Sequence, residues 1–185
     1  MKILVSGNDQ VGLSAAIGRL YPDEVTFASR TTGCELTNDA GREAFCDMAV
    51  DADVVIICAA LWRFQQTVLL EAVSKRLRDE MKAPHVIVIG STTDRVKNGK
   101  PWLYNAEKKA LRDFSNTLAI GGVWTEGFPK VSYISFGTLS NNQHKHIDRK
   151  CLDIDEAAGY IKWLISLPKH VNINEISIDP MQGTS

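Results

Sequence analysis

The chain is poor in the features that mark several large classes of protein, and each absence narrows the field. No apolar run approaches the roughly 20 residues needed to cross a bilayer; the stretch from Val54 to Leu61 is among the longest. There is no basic surplus to suggest nucleic acid and no acidic tract to suggest disorder, for the formal net charge is -1. No C-x-x-C pair occurs among Cys34, Cys46, Cys58 and Cys151, and Cys58 ends an apolar run, so reduced, mostly structural thiols are expected. No signal-type apolar region follows Met1 and Lys2, which predicts a cytoplasmic protein. Repeats, low-complexity stretches and long linkers are missing too. With 185 residues, 44% of them hydrophobic, a single domain with a sizeable core is expected. Its partner is then a small molecule or another copy of the chain.

What is present is an alternation of short apolar runs with segments of helical period, the pattern of a parallel sheet covered by helices. Strands are predicted over residues 3–6, 24–28, 53–59, 85–89, 130–136 and 175–178, with a further short one near 34–36. Helices are predicted over 12–20, 39–49, 65–81, 104–118 and 155–167. The polar segment 138–150, with Asn141, Asn142, His144 and His146, is the least regular and therefore a candidate functional loop. The fold class is thus α/β, a Rossmann-type doubly wound parallel sheet in three α/β/α layers.

Three groups of residues carry chemistry. The turn Ser6-Gly7-Asn8-Asp9-Gln10-Val11-Gly12-Leu13-Ser14 follows the first strand, where glycines let backbone approach a pyrophosphate facing a helix N-terminus. It fits neither G-x-G-x-x-G nor the phosphate-cradling G-x-x-x-x-G-K-[ST], because Leu13 stands where the latter needs lysine. A structural strand-helix turn explains it equally well. The second strand ends in Ala28-Ser29-Arg30 in place of the acidic residue that binds a ribose 2'-hydroxyl. An arginine there suits a 2'-phosphate, so NADP is favoured over NAD.

The third group is Ser91 after the strand at 85–89, with Tyr104 and Lys108 on the next helix. Four residues apart, Tyr104 and Lys108 project from one helix face. A lysine cation beside a phenol is expected to lower its pKa and fit it for acid-base work. Ser91 lies at a strand's carboxyl end, where open parallel sheets place their ligands.

These residues resemble the short-chain dehydrogenase/reductase family over nearly the whole chain. Ser91, Tyr104 and Lys108 match its serine and Y-x-x-x-K motif. Cys58-Ala59-Ala60 takes the place of its N-A-G, and Ser135-Phe136-Gly137 that of its proline-glycine segment. The resemblance implies NADP-dependent hydride transfer between cofactor and a carbonyl or alcohol, with Ser91, Tyr104 and Lys108 catalytic. It also implies that Gly7, Asn8, Gly12 and Leu13 line the phosphates, Arg30 the 2'-phosphate, and Glu35 and Leu36 the adenine. Ala59, Ala60, Gly137, Thr138 and Leu139 fall to the centre of the cofactor.

The departures are a glycine turn with one extra residue and Ser14 in place of the last glycine, and a short 61–85 stretch that leaves room for fewer helices. The family's helix asparagine has no match, with Gln65 or Gln66 as candidates to replace it, and the segment after Gly137 is too short for much of a lid. A homodimer or homotetramer is expected, with Leu111, Phe114 and Leu118 as an apolar stripe on the tyrosine-bearing helix. Two rival readings compete: a non-catalytic NADP-binding regulator, and a metal site at His144 and His146, which lacks a third ligand nearby.

Overall fold

The computed structural model describes residues 1–95 and 102–183. Six strands form one parallel sheet: β1 (Ile3–Ser6), β2 (Val25–Ala28), β3 (Val54–Ile57), β4 (His85–Ser91), β5 (Lys130–Phe136) and β6 (Glu175–Ile178), in the order β2-β1-β3-β4-β5-β6. Parallel strands buried on both faces read as continuous apolar runs, and Ile3 to Ser6 and Val54 to Ile57 are buried at every position. The helices are α1 (Gly12–Leu20), α2 (Asp39–Val50), α3 (Gln65–Asp79), α4 (Leu103–Trp124) and α5 (Ile154–Ser166).

The pleat sorts the core into two clusters. Leu4, Val55, Ile57, Val86, Val88 and Tyr133 meet Phe45 of α2, Leu69 of α3 and Leu111 of α4 on one face. On the other, Val5, Ile56, Ile87 and Ile134 meet Ile17 of α1 and Ile161 of α5. Three layers result.

Three expectations need correction. Residues 34–36 are not a strand. A 3-10 turn (Arg30–Thr32) closes on Gly33 at φ 82°, and Cys34 and Leu36 then turn inward as plugs of the core. The chain passes so close to α2 that a Cβ on Gly41 would collide with the Glu35 carbonyl, which leaves no room for an extra edge strand. Next, α4 continues to Trp124 instead of ending at 118, because Gly122 lets it approach the Pro129 carbonyl, 2.8 Å from where a Cβ would stand. Finally, Leu111 and Leu118 are buried in the core and Phe114 packs against it, so that stripe faces the sheet. The large apolar side chains that α4 exposes are Leu103 at its start and Ile120, Val123 and Trp124 at its end. Among the described residues no helix is long and apolar enough to cross a membrane.

Candidate active site

The carboxyl ends of the parallel strands gather the predicted residues along one edge of the sheet. At β1, Ser6 accepts the N–H groups of Cys58 (2.8 Å) and Ala59 (3.0 Å), tying the end of β1 to that of β3. Gly7 (φ 150°) and Gly12 (φ 70°) take backbone conformations closed to most side chains, and a Cβ on Gly7 would stand 2.7 Å from that of Ser14. The Asn8 side chain accepts from Gln10 (3.1 Å) and Val11 (3.2 Å), while Ser14 donates to the Asn8 carbonyl at 2.7 Å. Ser14 therefore locks the turn where a glycine was missed. The Val11 side chain makes no capping hydrogen bond to the first N–H groups of α1.

Arg30 is exposed beyond β2, its Nε 3.8 Å from the Glu35 carboxylate. Hydrogen bonds from Thr37 hold that carboxyl below its usual range. Leu36 is buried under α2, whereas Glu35 stays accessible. At the far side, Gly137 would clash with Asp179 and Pro180 if it carried a Cβ. Thr138 and Leu139 run beside Leu152, joined through the Leu152 N–H to the Thr138 carbonyl. Ala60 is exposed beside Ala59 at the end of β3.

Ser91 closes β4, and Tyr104 opens the first turn of α4. The Ser91 side chain interacts with the Tyr104 phenol and acts to lower its pKa. The Ser91 hydroxyl also accepts the Thr93 N–H at 3.4 Å, and Thr93 donates to Asn105 at 2.9 Å, which fastens this turn to α4. Trp62 covers Tyr104, with ring centroids 5.4 Å apart. The turn that carries Trp62 is strained: Arg63 and Phe64 both have positive φ. It is anchored by the Arg63 N–H donating to buried Glu107 at 2.7 Å.

Lys108 is buried, and its Nζ lies 5.5 Å from the Tyr104 ring centroid. It donates to Gln66 Oε1 at 2.6 Å. The Gln66 amide in turn donates to the carbonyls of Ile57 (3.2 Å) and Ile89 (2.9 Å), bridging β3 and β4. Of the two glutamines singled out in the sequence, Gln66 reaches the lysine, while Gln65 accepts from Arg42 at 2.8 Å. Burial depresses the Lys108 ammonium to a pKa of about 8, against the opposing pull of Cys58, Glu107 and Asp94.

The tyrosine corrects an expectation. Its pKa is raised, not lowered: burial dominates, the Ser91 side chain pulls it down, and the charges of Glu107 and Asp94 push it further up. Lysine proximity does not offset the burial.

No motif points to what lies beneath. Asp94, on the 3-10 turn Thr92–Arg95, accepts the Tyr133 hydroxyl at 2.8 Å, and both side chains are buried. Beside Ser91, a cavity of about 320 Å³ opens among Thr92, Thr138, Arg149, Lys150, Asp179 and Gln182. Among the described residues no three His, Cys, Asp or Glu side chains are grouped to hold a metal.

Comparison with known proteins bears on the fold. No family model matches the chain. An uncharacterized oxidoreductase of Staphylococcus aureus (strain N315) is 31% identical over 109 residues, which cover 55% of this chain and 45% of that protein. The match thus spans less than half the length of the relative. Among solved structures, the closed form of a serine dehydrogenase complexed with NADP+ superposes with a TM-score of 0.71 at 17% identity, covering 95% of this chain and 94% of the other. A short-chain dehydrogenase from Bacillus anthracis gives 0.74 at 13% identity, covering 96% and 95%. Acetoin dehydrogenase from Salmonella typhimurium gives 0.73 at 14%, covering 97% and 95%.

Proposed function

We propose that this chain, which has the fold of the short-chain dehydrogenases/reductases, is an NADP-dependent oxidoreductase acting on a carbonyl or alcohol substrate. The observation that carries the reading is that Ser91 at the end of β4 and Tyr104 in the first turn of α4, with the Lys108 ammonium 5.5 Å from the tyrosine ring, come together at the carboxyl edge of the sheet. The sequence likeness to a curated oxidoreductase supports it, as does the NADP+ bound to a structural neighbour.

The residues present fit a dinucleotide. Gly7 and Gly12 keep the turn free of Cβ atoms, and the uncapped N-terminus of α1 offers N–H groups to a pyrophosphate. Asn8 and Leu13 complete that turn, and Arg30 reaches the 2'-phosphate, which selects NADP over NAD. Glu35 and Leu36 border the adenine, while Ala59, Ala60, Gly137, Thr138 and Leu139 border the centre of the cofactor. When bound, NADP(H) supplies or accepts the hydride at the substrate carbon.

In reduction, Tyr104 gives its phenolic proton to the carbonyl oxygen, which Ser91 orients through its hydroxyl. Hydride and proton together make the alcohol. A raised pKa keeps the phenol protonated until that moment, and Lys108, charged at neutral pH, binds the nicotinamide ribose and faces the phenolate that forms. Gln66 holds that ammonium in place. The substrate enters the cavity bordered by Thr92 and Thr138.

Four free thiols suit a reducing compartment, the cytoplasm. Exposed Ile120, Val123 and Trp124 suit a homo-oligomer, and a monomer by light scattering at micromolar concentration speaks against one. The function itself is tested by NADPH oxidation with a panel of aldehydes, ketones and quinones. Turnover that requires Ser91, Tyr104 and Lys108 supports it; tight NADPH binding with no turnover on any of them contradicts it.

A further inference from the structure

We propose that Asp94 and Tyr133 are a positioning pair for Ser91, a role that rests on the reading of Ser91 and Tyr104 as catalytic groups. Tyr133 stands in β5 opposite Val88, and its phenol runs along the sheet over Gly90. Any Cβ at Gly90 would collide with the Tyr133 hydroxyl, so the glycine is what admits it. There the hydroxyl lies against the backbone just before Ser91 and donates its proton to Asp94 Oδ2, on the turn just after it, at 2.8 Å. Ser91 is thereby backed from below, with the turn that follows it tied to β5. Its turn is clamped a second time at α4, through Thr93 and Asn105.

The pair is not explained by packing. A phenylalanine at 133 and an apolar residue at 94 would fill the same space without burying a carboxylate. Instead Asp94 keeps Oδ1 buried without a hydrogen bond among the described residues, with the Arg95 Nε 3.4 Å away. Asp94 is faced by Tyr133 from β5, by Arg112 from α4, itself held by Glu175 of β6 at 2.8 Å, and by Arg95 beside it. Tyr104 is faced by Ser91, Glu107, Lys108, Trp62 and Asp94. The carboxylate thus has a second effect: it opposes ionisation of Tyr104 and keeps a proton on the group that must donate one.

Two substitutions separate the effects. Tyr133→Phe keeps the ring and removes the hydroxyl; turnover on a carbonyl substrate of the parent falls about tenfold or more, while Kd for NADPH stays within about twofold. Asp94→Asn keeps an oxygen for Tyr133 but removes the charge, and the Tyr104 phenol then ionises at a lower pH than in the parent. That ionisation is followed by ultraviolet difference titration against a Tyr104→Phe background, which needs no substrate. Undiminished turnover in Tyr133→Phe overturns the proposal, and so does a Tyr104 titration indifferent to the Asp94 charge. If Tyr133→Phe does not fold, the titration decides alone. An inactive Tyr104→Phe alongside a fully active Tyr133→Phe sinks the positioning pair and leaves the catalytic reading standing.

Discussion

The Lys108 ammonium sits 2.6 Å from the Gln66 side-chain oxygen, and the other end of that amide bridges the carbonyls of Ile57 and Ile89. One glutamine therefore serves both the sheet and the site. Gln66→Leu strips two buried carbonyls of a donor and the lysine of its acceptor. We expect a loss of about 1–3 kcal/mol in urea unfolding. Lys108, with a pKa of about 8, should lose its proton at still lower pH, since an acceptor that favoured the charged form is gone. The alkaline fall of kcat/KM for NADPH oxidation then moves to lower pH in the variant. A pH profile identical to that of the parent would refute the coupling.

Arg30 and Glu35 make opposing predictions for cofactor choice. Arg30→Asp should reverse a preference for NADPH over NADH, because it replaces the partner of the 2'-phosphate with a charge of the same sign as that phosphate. Glu35, whose carboxylate lies 3.8 Å from the arginine, competes for it. Glu35→Gln should therefore tighten NADPH modestly, since the pair is exposed and screened by solvent. Equal affinity of the parent for both cofactors in fluorescence titration would remove the role given to Arg30.

His85 predicts acid sensitivity. Burial, with a contribution from Lys130, depresses its pKa from 6.5 to about 3, and its Nε2 lies 2.8 Å from the Ser132 hydroxyl. Between those values the unfolded chain binds a proton that the folded chain refuses, so stability declines as pH falls below 6.5. The decline from this group amounts to roughly 2 kcal/mol by pH 5. In His85→Gln that part of the slope disappears from denaturant midpoints measured across the range; an unchanged slope would assign acid sensitivity elsewhere.

Much of the fold was legible because parallel strands buried on both faces leave continuous apolar runs, and Val54 to Ile57 can scarcely be anything else. The segment Cys34-Glu35-Leu36 misleads for the same reason: its inside-outside alternation suits a strand, yet here it arises from a loop plugging the core between Gly33 and the Asn38 cap of α2. Ser91, Tyr104 and Lys108 could be found because spacing on one helix and one strand end is a local property. The direction of the Tyr104 pKa could not, since it depends on burial and on Asp94, which spacing along α4 does not reveal. Tyr133 and Asp94 are far apart in sequence and belong to no motif; only the glycine at position 90 hints that something must cross β4 there.

The central claim is that Tyr104 is the proton donor, and one substitution tests it most directly. Tyr104→Phe keeps the ring that packs on Trp62 and removes the hydroxyl that meets Ser91. Measured on a carbonyl compound that the parent reduces, turnover should fall by about 100-fold or more while Kd for NADPH stays nearly unchanged, whereas Lys108→Ala impairs both. A Tyr104→Phe protein that reduces the same compound at the parental rate would contradict the mechanism while leaving the fold intact.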